Sequence, residues 1–230
     1  VVRDGVRFVG RLITAEFGDQ ESSEFSITGA VVITGGLSGI GYRLCEELVV
    51  QGVKSIALVQ RSEPTAEHVS KFKEWNSQGC VVKAFSCDVG QYDLLLSTFE
   101  TVITQLGEIK TVFHCAGQID DAVLMNQTAE SINSVFNGKV RGAWNLHQVS
   151  VSLSLKLDHF VLFSSVSSVV GSGGQLNYAA ANSFMDALAH YRCQVDLPAL
   201  CLNWGLWSDV GMGLEVLERH EKRGIRSIEP

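Results

Sequence analysis

Residues 30–41 constrain the chain most. The run Ala30-Val31-Val32-Ile33-Thr34 passes directly into Gly35-Gly36-Leu37-Ser38-Gly39-Ile40-Gly41, and then into a segment whose apolar residues fall at Ile40, Leu44, Cys45, Leu48 and Val49. Branched side chains in a short run favour an extended strand, and recurrence at i, i+4 and i+8 is the pattern of an amphipathic helix. A glycine turn between strand and helix lets the backbone bend tightly and approach a ligand at the helix N-terminus, where amide dipoles meet a negative group such as a pyrophosphate. The glycine spacing is G-x-x-x-G-x-G rather than G-x-G-x-x-G. Taken alone, such a cluster is a weak signal, compatible also with a turn that binds nothing.

The same unit recurs along the chain. Strand-like runs near residues 53–59, 80–85, 111–115, 159–164 and 199–203 alternate with helical periods, one through Leu95, Phe99, Val102 and Leu106, another through Ile132, Val135, Phe136, Val140, Ala143 and Trp144. This alternation predicts an α/β fold of Rossmann type, a doubly wound parallel sheet with helices on both faces. At 230 residues the chain holds one large domain. The expected division is a segment 1–28 from a preceding unit or linker, a domain over 29–210 and a C-terminal segment 211–230. Within the first, Gly5 to Leu12 reads as a strand and Phe17 to Ser26 as linker. Starting at Val1 and ending at Pro230, the chain reads as a piece of a longer polypeptide.

Composition removes several classes. With 46% hydrophobic and 19% charged residues the chain is not disordered. A net charge of −7 without a basic cluster argues against nucleic acid as partner. No apolar run reaches the roughly 18 residues of a membrane span, and the start is not a signal peptide. The six cysteines form no C-x-x-C pair and the histidines no ligand spacing, so buried reduced thiols, no metal site and a cytoplasmic setting are expected. No G-x-S-x-G surrounds Ser38 or Ser172, which disfavours a serine hydrolase.

Two further segments carry chemistry. The second strand ends in Gln60-Arg61-Ser62. Sites that bind NAD through its ribose hydroxyls place a carboxylate about 20 residues past the glycine turn, whereas an arginine there forks onto the 2′-phosphate of NADP. Arg61 therefore favours NADPH. Cys87-Asp88-Val89, just past the third strand, is placed to touch an adenine ring. Beyond the fifth strand, Ser164-Ser165 lies at a strand's C-terminal end, where open α/β sheets present reactive groups. Asn177-Tyr178-Ala179-Ala180-Ala181-Asn182 then opens a helix with Tyr178 and Asn182 one turn apart on one face.

These segments resemble the short-chain dehydrogenase/reductases, and more narrowly the ketoreductase domains of type I polyketide synthases and animal-type fatty acid synthases. The match rests on the turn Thr34 to Gly41, on His114-Cys115-Ala116-Gly117 after the fourth strand, on Ser165 thirteen residues before Tyr178, and on Lys139 in the preceding helix. Ordinary short-chain reductases carry Lys four residues after the Tyr and Asn in the earlier helix. The exchange seen here, Asn182 and Lys139, is a habit of the synthase ketoreductases. The resemblance covers about residues 30–210, and Val2 to Leu12 is similar to the segment entering from the non-catalytic half of such domains.

What the resemblance implies is hydride transfer from NADPH to a ketone. Tyr178 would donate the proton, Lys139 would favour the phenolate left behind, Ser165 would hydrogen-bond the carbonyl oxygen, and Asn182 would hold Lys139 or a relay water. Thr34, Gly35, Gly36, Leu37, Ser38, Gly39, Ile40, Arg61, Asp88, Val89, His114, Ala116 and Gly117 would form the cofactor site. The loop Gln118-Ile119-Asp120-Asp121 is similar to the Leu-Asp-Asp signature of ketoreductases giving a D alcohol. The opposite class has Trp eight residues before the Tyr, a position held by Val170 here. Asp120 and Asp121 are therefore read as stereocontrol residues. Asn203-Trp204-Gly205 resembles the last strand's end and Leu206 to Arg223 a lid. The implied partner is an acyl carrier domain bearing a phosphopantetheine-linked β-ketoacyl chain, beside other domains of the synthase. Alternatives are a fatty acid synthase ketoreductase, an inactive ketoreductase-like scaffold, a free-standing carbonyl reductase, and a methyltransferase, which would want an acidic residue near Gln60.

Overall fold

The computed structural model describes residues 2–7, 27–208 and 227–228. In chain order the elements are β1 (Val2–Arg3), β2 (Val6–Arg7), β3 (Ala30–Thr34), α1 (Gly39–Val50), β4 (Ser55–Gln60), α2 (Ala66–Ser77), β5 (Val81–Ser86), α3 (Tyr92–Leu106), β6 (Ile109–His114), a 3-10 turn (Leu124–Asn126), α4 (Ala129–Phe136), a π turn (Asn137–Arg141), α5 (Gly142–Ser152), β7 (His159–Ser165), α6 (Ser167–Val170), α7 (Leu176–Gln194) and β8 (Leu200–Trp204). Six strands form one parallel sheet in the order β5-β4-β3-β6-β7-β8, the predicted doubly wound arrangement.

Period-two alternation divides the core into two layers. Val32, Ala57, Val59, Val112, Phe160 and Leu162 face α3, α5 and α7. Val31, Ile33, Ile56, Leu58, Phe113, Val161 and Phe163 face α1 and α2. Strand β3 lies at the centre and Ala30–Ile33 are wholly buried, each of the larger side chains contributing about 1.5–3 kcal/mol. This is why its sequence is continuously apolar rather than alternating.

Two expectations change. The strand expected from Gly5 to Leu12 is, over its described part, the second arm of a hairpin in which Val2 pairs with Arg7 and Arg3 with Val6. Asp4 and Gly5, at φ +50° and +75°, make the turn. Residues 8–26, including the expected linker, and 209–226, including most of the expected lid, lie outside the described residues. Second, the single helical face expected from Ile132 to Trp144 is broken by the π turn at Asn137–Arg141. One extra residue per turn rotates the register, so Lys139 is buried while Trp144 is 39% exposed.

All six cysteines are free; Cys45, Cys80 and Cys87 are buried, and Cys193 is exposed, contrary to expectation. Among the described residues no helix is long and apolar enough to cross a membrane.

Candidate active site

The sheet order reverses between β3 and β6, and a cleft of about 270 Å³ opens there, beyond the strands' C-terminal ends. The glycine turn forms one wall. Gly35 has φ +68°, and a Cβ on it would lie 2.8 Å from the Ala116 backbone. A Cβ on Gly41 would strike the Gly35 carbonyl oxygen. Side chains are excluded so that the turn can close against the loop after β6. Gln60 then fixes the turn, its Oε1 accepting from the Leu37 amide at 2.8 Å while its Nε2 donates to Ser62. Arg61 reaches across the mouth and donates to Gln118 Oε1 at 3.0 Å.

Of the residues expected to hold a cofactor, Gly35, Ser38, Arg61, Asp88, Val89, Ala116 and Gly117 line the cleft. Thr34, Gly36, Leu37, Gly39, Ile40 and His114 are not among its lining residues. Thr34 Oγ1 and His114 Nδ1 are 2.7 Å apart in a fully buried contact beneath the turn, and Thr34 also accepts from the Ala116 amide. Burial, reinforced by the Lys139 charge, drives the His114 pKa down to about 3, so the imidazole is neutral. Sequence reading missed Gln60, Gln118 and Asn137 as parts of the wall. Asn137 donates to both carboxylate oxygens of Asp88 (2.9 and 3.1 Å), and Asp88 Oδ1 accepts from the Gly90 amide, so this carboxylate is committed to shaping the loop.

Lys139, Ser165, Tyr178 and Asn182 converge at the neighbouring strand end. The π turn projects Lys139 inward. Its stem packs where a Gly117 Cβ would be, 2.8 Å from Cε, and its Nζ donates to the Phe163 carbonyl at 3.1 Å. The same Nζ stands 5.2 Å from the centroid of the Tyr178 ring. The side chain is only 3% exposed and has no carboxylate partner among the described residues. A buried unpaired cation is costly, and its position beside a phenol is where an anion would offset that cost. Ser165 Oγ accepts from the Ser167 amide at 3.2 Å, which leaves its hydroxyl proton for another acceptor. Asn182 Nδ2 donates to the Tyr178 carbonyl at 2.9 Å, and its fully buried Oδ1 has no partner among the described residues.

Residues 29–209 match the family described as KR domain. The chain belongs to the ketoreductase (KR) domains of polyketide synthases. It is 40% identical over 196 residues to chalcone synthase cfoA of Aspergillus candidus, covering 84% of this chain and 7% of that protein. To mycoketide-CoA synthase of Mycobacterium tuberculosis it is 36% identical, covering 87% of this chain and 5% of that protein. Among solved structures, the first ketoreductase of the tylosin polyketide synthase superimposes with a TM-score of 0.79 at 38% identity, covering 91% of this chain and 46% of the other. The chain thus spans a small fraction of the two synthases and about half of the tylosin ketoreductase chain.

In this ketoreductase the aspartate pair is tied to the helix that carries Tyr178. Asn177 Nδ2 donates to the Asp120 carbonyl at 2.8 Å, and Asp120 Oδ2 accepts from Ser134 Oγ at 3.0 Å. Gln175 Nε2 donates to both Asp121 oxygens, at 3.2 and 3.1 Å. Gln175, which precedes α7, and Asn177 in its first turn are both buried, so these bonds tie the loop after β6 to the start of α7. Val170 ends α6 and is exposed.

Proposed function

We propose that residues 29–210 form an NADPH-dependent reductase that converts a β-ketoacyl thioester, presented on an acyl carrier domain of a polyketide synthase, into the D-3-hydroxyacyl thioester. The observation that carries this reading is the buried Lys139 ammonium 5.2 Å from the Tyr178 ring, beside the strand end that bears Ser165. The cleft suits a dinucleotide: the bare backbone of Gly35 and the Ser38 amide edge would hold the pyrophosphate, Arg61 the 2′-phosphate, and Asp88-Val89 the adenine side. When bound, the reduced nicotinamide supplies a hydride to the ketone carbon.

The chain's own residues handle the oxygen. Ser165 donates its free hydroxyl proton to the carbonyl oxygen and orients it. Tyr178 gives its phenolic proton to the same oxygen as negative charge grows there. Lys139 offsets the charge left on the phenolate, and does so in a dry setting where its field is weakly screened. Asn182 Oδ1, buried and unpartnered, is an acceptor for a water or for Lys139 once substrate enters. The Asp120–Asp121 loop, anchored to α7 by Asn177 and Gln175, limits the side from which the acyl arm approaches. A carrier domain within the same synthase and a cytoplasmic, reducing setting accord with this reading. The test is oxidation of NADPH, with NADH as control, using an N-acetylcysteamine β-ketothioester, followed by chiral chromatography. NADPH-dependent formation of mainly D alcohol supports the proposal; predominance of the L alcohol overturns its stereochemical part, and no turnover despite cofactor binding overturns the activity.

A further inference from the structure

The face of α7 that carries Tyr178 and Asn182 continues to Asp186, a further turn along. Asp186 is half-buried and collects hydrogen bonds from three side chains on two separate segments. Ser168 Oγ, at the start of α6, donates at 2.5 Å; Asn203 Nδ2, on β8, donates at 3.1 Å to each oxygen; and the Cys201 thiol donates at 3.1 Å. Asn203 Nδ2 also lies 2.9 Å from Ser168 Oγ and 3.4 Å from the Ser165 carbonyl. One turn earlier on the helix, Ser164 Oγ donates to the Asn182 carbonyl at 3.3 Å. The segment 164–168 is therefore stitched to α7 at both its ends, and Ser165 lies inside the stitched segment. Among the described residues Ser165 Oγ has one partner, the amide of Ser167, the residue next to Ser168 in the stitched segment. Burial raises the Asp186 pKa, but hydrogen-bond donors, Ser168, Cys201 and Asn203 among them, outweigh it and hold the group below its ordinary value, so it is a carboxylate at neutral pH.

We infer that Asp186 is a positioning residue, which through Ser168 and Asn203 holds the Ser165 hydroxyl in register with Tyr178 on the same helix. The inference rests on the reductase reading above. A carboxylate is the one side chain of this size that accepts from three donors at once; an amide would set its own N–H against those of Asn203 and Ser168. Displacement of a group that orients the reacting oxygen lowers the chemical step far more than binding of a distant cofactor.

The test measures kcat, the KM for NADPH, and the deuterium isotope effect with NADPH labelled at the transferred position, for this chain and for its Asp186→Asn, Asp186→Glu and Ser168→Ala variants, with the β-ketothioester as substrate. We expect Asp186→Asn to lower kcat about tenfold or more, with KM for NADPH within about twofold and a larger isotope effect, and Ser168→Ala to lower kcat several-fold. Asp186→Glu restores part of the loss. A merely structural role predicts instead that kcat falls only in proportion to the fraction of protein that still binds NADPH, with the isotope effect unchanged, and that result overturns the inference. Should Asp186→Asn not fold, Ser168→Ala decides, and an unchanged kcat per NADPH site overturns the inference. Absence of turnover by the unaltered chain strikes the reductase reading itself, and this inference with it.

Discussion

Acid should destabilise this protein through His114. The imidazole is buried beneath the glycine turn, bonded to Thr34, and its pKa is pushed to about 3 from an ordinary 6.5. Below pH 6.5 the unfolded chain binds a proton at this position that the folded protein refuses, so stability falls as pH drops from about 6.5 and levels off near pH 3. At pH 4 the difference amounts to about 3 kcal/mol, a large share of the roughly 5–15 kcal/mol typical of a domain. His147, lowered by burial and by Arg192, acts in the same direction, and so does Asp186 at lower pH. Those contributions are shared by a His114→Asn variant, so the comparison isolates His114. Urea unfolding followed by tryptophan fluorescence at pH 7 and pH 4 gives the two stabilities for each protein. The unaltered chain should lose about 3 kcal/mol more than the variant over that interval. Parallel losses would refute the neutral, buried imidazole and with it this explanation of how the turn is held.

Three other substitutions probe the cofactor wall and the core. Gly41→Ala sets a methyl group against the Gly35 carbonyl oxygen and should cost about 1–3 kcal/mol in stability, with NADPH affinity falling at least about tenfold by fluorescence titration. Arg61→Ala removes the only cation lining the cleft among the described residues; NADPH affinity should weaken about tenfold or more while NADH binding is unchanged, as calorimetry would report. Arg192 is 1% exposed, stacks 3.8 Å from the Phe160 ring centroid and donates to Pro198, His147 and Ser150. Its replacement by Met leaves those buried acceptors unsatisfied and should lower stability by about 2–4 kcal/mol in denaturant titration, without changing the KM for NADPH.

The fold was legible because β-branched runs and helical periods are local signals. Ala30–Thr34 announced the central strand, and the glycines after it announced a turn whose neighbours admit no Cβ. Tyr178 and Asn182 were legible as one helix face because four residues make one turn. The π turn was not legible: Lys139 sits in a helical stretch whose apolar period runs on through it, while Gly138 lies against Gly117 and Gly142 against Val89 and His114, neighbours that are distant in sequence. His114 and Thr34 read as cofactor contacts because they end strands at the cleft, yet in parallel strands those ends face each other below the turn. Gln60, Asn137 and Asp186 were not assigned to the site for a common reason. Each is a short polar side chain with a partner at least 15 residues away, and no spacing rule connects them.

The central claim is that Tyr178, activated by the buried Lys139, protonates a ketone oxygen oriented by Ser165. It is tested most directly by NADPH oxidation with the β-ketothioester in the Tyr178→Phe variant, alongside a titration of NADPH binding. The account predicts that turnover falls by about 100-fold or more, the scale of a lost general acid, while NADPH affinity stays as in the unaltered chain. Turnover within a few-fold of the original, with cofactor binding intact, would contradict it.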